Sequence, residues 1–149
     1  DWPPGENGTA LGPYCVVHQS FTPVEKIYGY VEKPRSPHAV VWLELTSYSQ
    51  SLGRFTPKES ENNPEILKGQ KIAVGSCSSC HNIGNVGGQM NTPWAVIAAR
   101  AVSDKDNFRK QLINPKSFDV MTPMPPQPTF DDETFNALEA YFKAMMPRE

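Results

Sequence analysis

The clearest periodicity in the chain lies near its C-terminal end, where large apolar side chains recur every three or four residues. The members of this stripe are Phe135, Leu138, Tyr141, Phe142 and Met145. Such spacing places them on one face of a helix. Asp131 precedes the stripe and can cap the first turn, and Pro147 follows it and would end the helix. The pattern therefore predicts an amphipathic helix that begins just after Asp131.

Helical patterns also occupy the preceding stretch, from residue 63 to residue 114. Asn63 followed by Pro64 is a typical helix start, because Asn accepts hydrogen bonds from the first amides and Pro has no amide hydrogen to leave unpaired. This helix is expected to continue towards residue 77. Two further helices are predicted at residues 94–102 and 103–114, the second of them capped by Ser103 and ended by Pro115.

The first 62 residues have a different composition, rich in proline, aromatic and β-branched residues. Strands are predicted at residues 13–20, 24–31 and 38–48, separated by Pro23 and by the proline-containing tract 33–37. The polar tract 56–63 is expected to connect this part to the helices. The sequence thus predicts a mainly α protein in two parts: an N-terminal extension (1–62) with a small antiparallel β element, and a helical domain (63–149).

The composition excludes several classes of protein. The chain has 149 residues, of which 38% are hydrophobic and 20% are charged, as in ordinary globular proteins. A formal charge of −2 argues against the strongly basic surface that nucleic-acid binding requires. No run of about eighteen apolar residues is present, so no membrane span is predicted.

The most specific chemical motif is Cys77-Ser78-Ser79-Cys80-His81. The spacing Cys-x-x-Cys-His is the signature of c-type haem attachment, in which each thiol adds to a haem vinyl group and the histidine binds the iron. The motif predicts one haem c, attached covalently through Cys77 and Cys80, with His81 as an axial iron ligand.

The same two cysteines have alternative interpretations: a structural disulfide, a thioredoxin-like redox pair or half of a zinc site. A zinc site needs two further ligands, and no second Cys-x-x-Cys or closely spaced histidine pair follows. A thioredoxin-like pair opens a helix after a central strand, whereas the residues before Cys77 have a helical pattern. The histidine directly after Cys80 favours haem over these alternatives.

The segment from Asn114 to Met124 resembles the class I c-type cytochromes of mitochondria and bacteria. Asn-Pro-Lys-Ser-Phe at 114–118, followed by Thr-Pro-Met at 122–124, is similar to the family pattern Asn-Pro-Lys-x-aromatic and Thr-x-Met. The methionine lies ten residues after the asparagine, as in the family. The resemblance covers residues 63–149 and implies a cytochrome c-like helical haem domain with Met124 as the second axial iron ligand. Met121 is the main rival, but its position breaks the family spacing.

The resemblance also implies residues that surround the haem. Pro93 stands twelve residues after His81, where the family has a proline whose carbonyl accepts a hydrogen bond from the ligating imidazole. Thr122 matches a threonine that hydrogen-bonds a haem propionate. Trp94 and Arg100 are weaker candidates for propionate contacts.

A glycine and an aromatic residue pack the first and last helices together in the family. Gly69 matches the glycine, and Tyr141 or Phe142 matches the aromatic residue. The chain departs from the family at Ala73, where an aromatic residue is usual. The missing volume is expected to be filled by another part of the chain, such as the N-terminal extension.

By this resemblance the chain is expected to be an electron-transfer protein and not an enzyme. A monomeric periplasmic carrier would exchange single electrons with a redox donor and a redox acceptor, after export and removal of a leader. Two alternatives stay open: an electron-accepting subunit of a larger dehydrogenase, and a haem ligand sensor or haem enzyme subunit. The loop at residues 120–128 contains no histidine for acid–base work over the iron, which favours the carrier.

Three residues of the extension carry chemistry that the motif does not use. Cys15 is predicted to be an inert buried thiol, and His18 and His38 are not assigned to metal binding. The extension itself either packs on the haem domain and limits water access, or forms a docking face for a redox partner.

Overall fold

The computed structural model describes residues 26–32, 45–88 and 92–146, and this part of the chain is mainly helical, as predicted. Its helices are α1 (Tyr48–Ser51), α2 (Pro64–Cys77), α3 (Trp94–Ser103), α4 (Lys105–Ile113) and α5 (Asp132–Ala144). Short 3-10 turns occur at Gly53–Phe55, Lys58–Glu61 and Pro115–Ser117. None of the described helices has the length and apolar character needed to cross a membrane.

The helix starts follow the capping signals of the sequence with one exception. The Asn63 side chain accepts hydrogen bonds from the backbone amides of Glu65 and Ile66, at 3.0 and 3.3 Å, and so caps α2. Asp131 accepts from the amide of Thr134 at 2.9 Å and caps α5. The predicted cap Ser103 is wrong, because it is the last residue of α3 and the cap of α4 is Asp104.

Within the described residues, strand structure is limited to two short antiparallel hairpins. The first pairs β1 (Lys26–Ile27) with β2 (Tyr30–Val31), so a tight turn divides the single strand predicted at residues 24–31. The second, which the sequence did not suggest, pairs β3 (Asn82–Ile83) with β4 (Val86–Gly87). Of the predicted strand at 38–48, the described end contains no strand, and Tyr48 begins α1. The predicted strand at 13–20 lies outside the described residues.

Helices α2 and α5 cross closely at Gly69. A β-carbon at this position would overlap the carbonyl of Ala137 and would lie 2.7 Å from the β-carbon of Tyr141. Only a residue without a side chain allows this approach. The contact between Gly69 and Tyr141 agrees with the packing predicted for the first and last helices.

The core contains an aromatic cluster that the extension helps to form. Phe55, Trp94, Tyr141 and Phe142 are all buried, and the ring of Phe55 lies 4.6 Å from that of Trp94. The Tyr141 hydroxyl donates to the Phe55 carbonyl at 2.8 Å, across 86 residues of sequence. Ala73 is also fully buried. Residue 55 therefore belongs to the same core as the helices, as expected if the extension supplies missing volume.

The β1–β2 hairpin also packs on the helical part. The Gly29 amide donates to the Thr134 hydroxyl at 2.9 Å, at the start of α5. The ring of Tyr30 meets that of Phe130 edge to face at 6.3 Å, and its phenol covers Gly75 of α2 so closely that a side chain there would overlap it. These contacts fix the hairpin against both α2 and the loop before α5.

Candidate cofactor-binding site

The Cys-x-x-Cys-His motif forms a tight turn at the C-terminal end of α2. The amides of Cys80 and His81 both donate to the Cys77 carbonyl, at 3.1 and 3.0 Å. Cys77 and Cys80 are half-buried thiols and are not joined in a disulfide. The structure therefore places both thiols on one turn that also carries the imidazole.

The β3–β4 hairpin packs against the backbone of this turn. The Gly88 amide donates to the Ser78 carbonyl at 2.8 Å. A β-carbon at Gly88 would overlap the Ser79 carbonyl, and Gly87 adopts a φ of +99°, which L side chains rarely tolerate. Glycines at these two positions let the hairpin lie directly on the backbone of the motif.

The imidazole of His81 is oriented by a backbone carbonyl. Its Nδ1 lies 2.8 Å from the carbonyl oxygen of Thr92. A hydrogen bond at Nδ1 fixes the ring and leaves Nε2 as the nitrogen for a metal. The predicted acceptor, Pro93, is wrong by one residue, because its carbonyl begins α3 and accepts from the amides of Val96 and Ile97.

A cleft that is open to solvent brings most of the predicted site residues together. Its walls include Cys77, Cys80, His81, Thr122 and Met124, while Pro93 is not among them. Residues separated by more than forty positions in the sequence thus face one space.

A second, smaller cavity adjoins this cleft and is lined in part by residues of the helical core. It shares six lining residues with the larger cleft: Cys77, His81, Thr92, Gln111, Leu112 and Met124. Its other walls are largely apolar: Ile97, Phe108, Leu138 and Phe142. Arg100 also lines it, whereas Trp94 lines neither cavity.

The two candidate methionine ligands differ in their surroundings. Met124 is half-buried and lines both cavities. Met121 is 87% exposed and lines neither. Met124 therefore lines the same cleft as the Cys-x-x-Cys-His turn, and Met121 does not.

Thr122 has a hydrogen-bonding partner that the sequence did not suggest. Its hydroxyl oxygen accepts a hydrogen bond from the backbone amide of Met124 at 3.3 Å. Thr122 also forms part of the wall of the cleft.

These residues fit a covalently bound haem. The donor set consists of two thiols at vinyl-attachment spacing, one imidazole and one thioether, and the adjoining cavity has the apolar walls that a porphyrin ring needs. No group of three or more His, Cys, Asp or Glu side chains arranged for a metal ion occurs within residues 26–32, 45–88 and 92–146. Cys15, His18 and His38 lie outside these ranges.

Among the lining residues that the sequence did not identify, Thr92 and Gln111 illustrate two different causes. Thr92 acts through its backbone carbonyl, which leaves no signature in residue type. Gln111 lines both cavities from α4, and its spacing from Phe108 and Leu112 places all three on one helix face. That helical spacing was the signal that could have identified Gln111.

No protein-family model matches the chain, and no curated protein or solved structure does so either. The interpretation of the site therefore depends on the chemistry and geometry of its own residues.

Proposed function

We propose that this chain is a monohaem c-type cytochrome that transfers single electrons between redox partners. The observation that supports the proposal is the cleft in which Cys77, Cys80, His81 and Met124 meet. When bound, the haem supplies an iron that cycles between the ferrous and ferric states. The chain contributes the attachment, the ligands and the surroundings that tune the reduction potential.

Each of these residues has a distinct role. Cys77 and Cys80 would hold the haem through thioether bonds, and His81 and Met124 would bind the iron. The Thr92 carbonyl keeps the His81 ring in place. A thioether is a soft, neutral ligand, so His/Met ligation favours ferrous iron and gives a higher potential than two histidines.

The finer features of the proposal follow the class I cytochromes that the chain resembles. The close crossing of α2 and α5 at Gly69 supports a cytochrome c-like fold for residues 63–149. Covalent haem attachment in bacteria implies a periplasmic location, where one redox protein would act as donor and another as acceptor.

A closed carrier site agrees better with the cleft than an open catalytic site. The loop that faces the Cys-x-x-Cys-His turn contributes Pro123, Met124 and Pro125 to the wall. Met124 provides a ligand, and Asp119, the acidic residue that this loop adds to the wall, has a carboxylate oxygen bonded to the Met121 amide.

Haem attachment is the direct test of the proposal. When the protein is produced in the periplasm of a bacterium that has a haem-attachment system, its mass should exceed that of the apoprotein by one haem. The double variant Cys77→Ala/Cys80→Ala should lose haem that survives denaturing electrophoresis, and Cys77→Ala alone should retain one thioether. A wild-type protein without covalent haem would refute the proposal.

Carbon monoxide binding distinguishes an electron carrier from a ligand sensor. A six-coordinate His/Met site should bind carbon monoxide slowly or not at all after reduction, whereas a labile distal ligand should be displaced rapidly. Rapid binding would favour the sensor. Co-purification with a dehydrogenase chain would favour the electron-accepting subunit.

A further inference from the structure

The loop between α4 and α5 contains two methionines three residues apart, and their surroundings are opposite. Met124 is half-buried and lines both cavities, whereas Met121 is 87% exposed. The two thioethers have the same intrinsic affinity for iron. Loop conformation must therefore decide which of them reaches the cleft.

Two side chains bond to the backbone amides of these methionines. A carboxylate oxygen of Asp119 accepts from the Met121 amide at 2.9 Å. The Thr122 hydroxyl oxygen accepts from the Met124 amide at 3.3 Å. The Thr122 amide in turn donates to the Asp119 carbonyl at 3.1 Å, so the two turns are joined.

Bonds of this kind fix the direction of the backbone two residues onward. The Asp119 turn sets the backbone at Met121, whose side chain is in solvent. The Thr122 turn sets the backbone at Met124, whose side chain is in the cleft.

We propose that Thr122 is a positioning residue that holds Met124 as the iron ligand, while Asp119 holds Met121 away from the cleft. This inference rests on the proposed His/Met ligation of the haem. It assigns to Thr122 a role separate from the propionate contact that the family resemblance implies, because here the hydroxyl oxygen acts as an acceptor for the backbone.

The strength of the Met124–iron bond can be measured by titrating the ferric holoprotein with imidazole, which displaces a methionine ligand. Thr122→Val removes the acceptor with little change in shape and should raise the apparent affinity for imidazole about five-fold, the effect expected for one lost hydrogen bond. Thr122→Ser keeps the hydroxyl and should bind imidazole like the wild type.

Ser117→Ala is the matched control. It also removes a loop hydroxyl bond, from Ser117 to the Asn114 carbonyl at 2.7 Å, but one that does not involve the Met124 amide. Its affinity for imidazole should stay at the wild-type value. An equal rise in Ser117→Ala and Thr122→Val would overturn the inference, since it would indicate general loosening of the loop.

Proton NMR can show which methionine binds the iron, through the signals of the methyl group of the iron-bound methionine. Asp119→Ala/Thr122→Val should show a second set of these signals, and adding Met121→Leu should remove it. A single unchanged set in the double variant would contradict the role of Asp119.

Two other outcomes distinguish failure of the inference about Thr122 from failure of the proposed His/Met ligation. A wild-type protein without His/Met spectra would refute the proposed ligation itself. A Thr122→Val protein with unchanged imidazole affinity but an altered pH dependence of the potential would leave the ligation intact and would identify Thr122 as a propionate partner only.

Discussion

At the scale of single residues, two kinds of group form the site. Some side chains can be predicted from their residue type, whereas other groups have a role that depends only on their position in the fold. The proposed haem attachment uses two thiols and an imidazole at a set spacing, so residues 77–81 could be predicted as its site from residue type alone. A carbonyl that orients an imidazole can belong to any residue. Thr92 could therefore not be distinguished from Pro93 before the local path into α3 was known.

Replacement of either methionine tests the assignment of the second iron ligand. Met124→Ala should abolish the low-spin His/Met spectrum of the haem protein and lower its reduction potential, because the half-buried thioether in the cleft is lost. Met121→Ala should leave both spectrum and potential unchanged, since Met121 is 87% exposed. Optical spectra with redox titration measure both effects, and the reverse pattern would move the ligand to Met121.

At the scale of elements, the long helices could be predicted and the short pieces could not. Asn63 and Asp131 mark the starts of α2 and α5 because both side chains accept from free amides of the first turn. The strands contain only two residues each, too few for a periodic pattern. The turn of the first hairpin includes Tyr28 at a φ of +54°, a conformation that its residue type does not suggest.

An ion-pair network connects α4 to α5 next to the site. Glu139, whose side chain is only 7% exposed, accepts from Arg109 Nε at 2.7 Å and pairs with Lys105 Nζ at 2.8 Å. Burial alone would raise the pKa of Glu139, but the hydrogen bonds and charges of Arg109 and Lys105 outweigh it and hold the pKa below its ordinary value of 4.5. The same residues hold in place the helix that contributes Phe108 and Leu112 to the smaller cavity.

This network predicts a loss of stability in acid. Because the pKa of Glu139 is lower in the folded than in the unfolded state, its contribution is present above about pH 4.5 and is lost as the pH falls through the folded value. Glu139→Gln should cost about 1–3 kcal/mol of unfolding free energy at neutral pH, and the difference from wild type should shrink in acid. Urea unfolding followed by circular dichroism at several pH values measures the effect.

In Glu139→Gln, the loss of unfolding free energy in acid should be smaller than in the wild type but should not vanish. Asp131, whose pKa is also lowered, chiefly by the hydrogen bond from the Thr134 hydroxyl, remains in place. Glu133→Gln, an exposed change on the same helix, provides the control and should retain the full acid dependence. If the unfolding free energies of Glu139→Gln and wild type differ by the same amount at all pH values, the stabilising role of the Glu139 ion pairs would be contradicted.

At the scale of the whole molecule, the described parts of the extension and the helices share one core. Phe55 lies in the aromatic cluster with Trp94, and its carbonyl accepts from the Tyr141 hydroxyl. The sequence predicted a β-containing extension and left its role open, because amphipathic patterns indicate which face is buried and not which partner covers it. Contacts between residues 55 and 141 depend on the complete fold.

The hairpin provides a test of whether the extension stabilises the helical part or serves only as a docking surface. Tyr30 is 7% exposed and packs on Gly75 and Phe130, so Tyr30→Ala should lower the unfolding free energy of the full chain by about 3–5 kcal/mol. Val31→Ala changes the neighbouring residue, which is 46% exposed, and should alter it by less than about 0.5 kcal/mol. Denaturant unfolding monitored by circular dichroism compares the two variants. If both variants change the unfolding free energy by the same small amount, the hairpin adds nothing to the stability of the helices. Docking of a redox partner would then be its remaining proposed function.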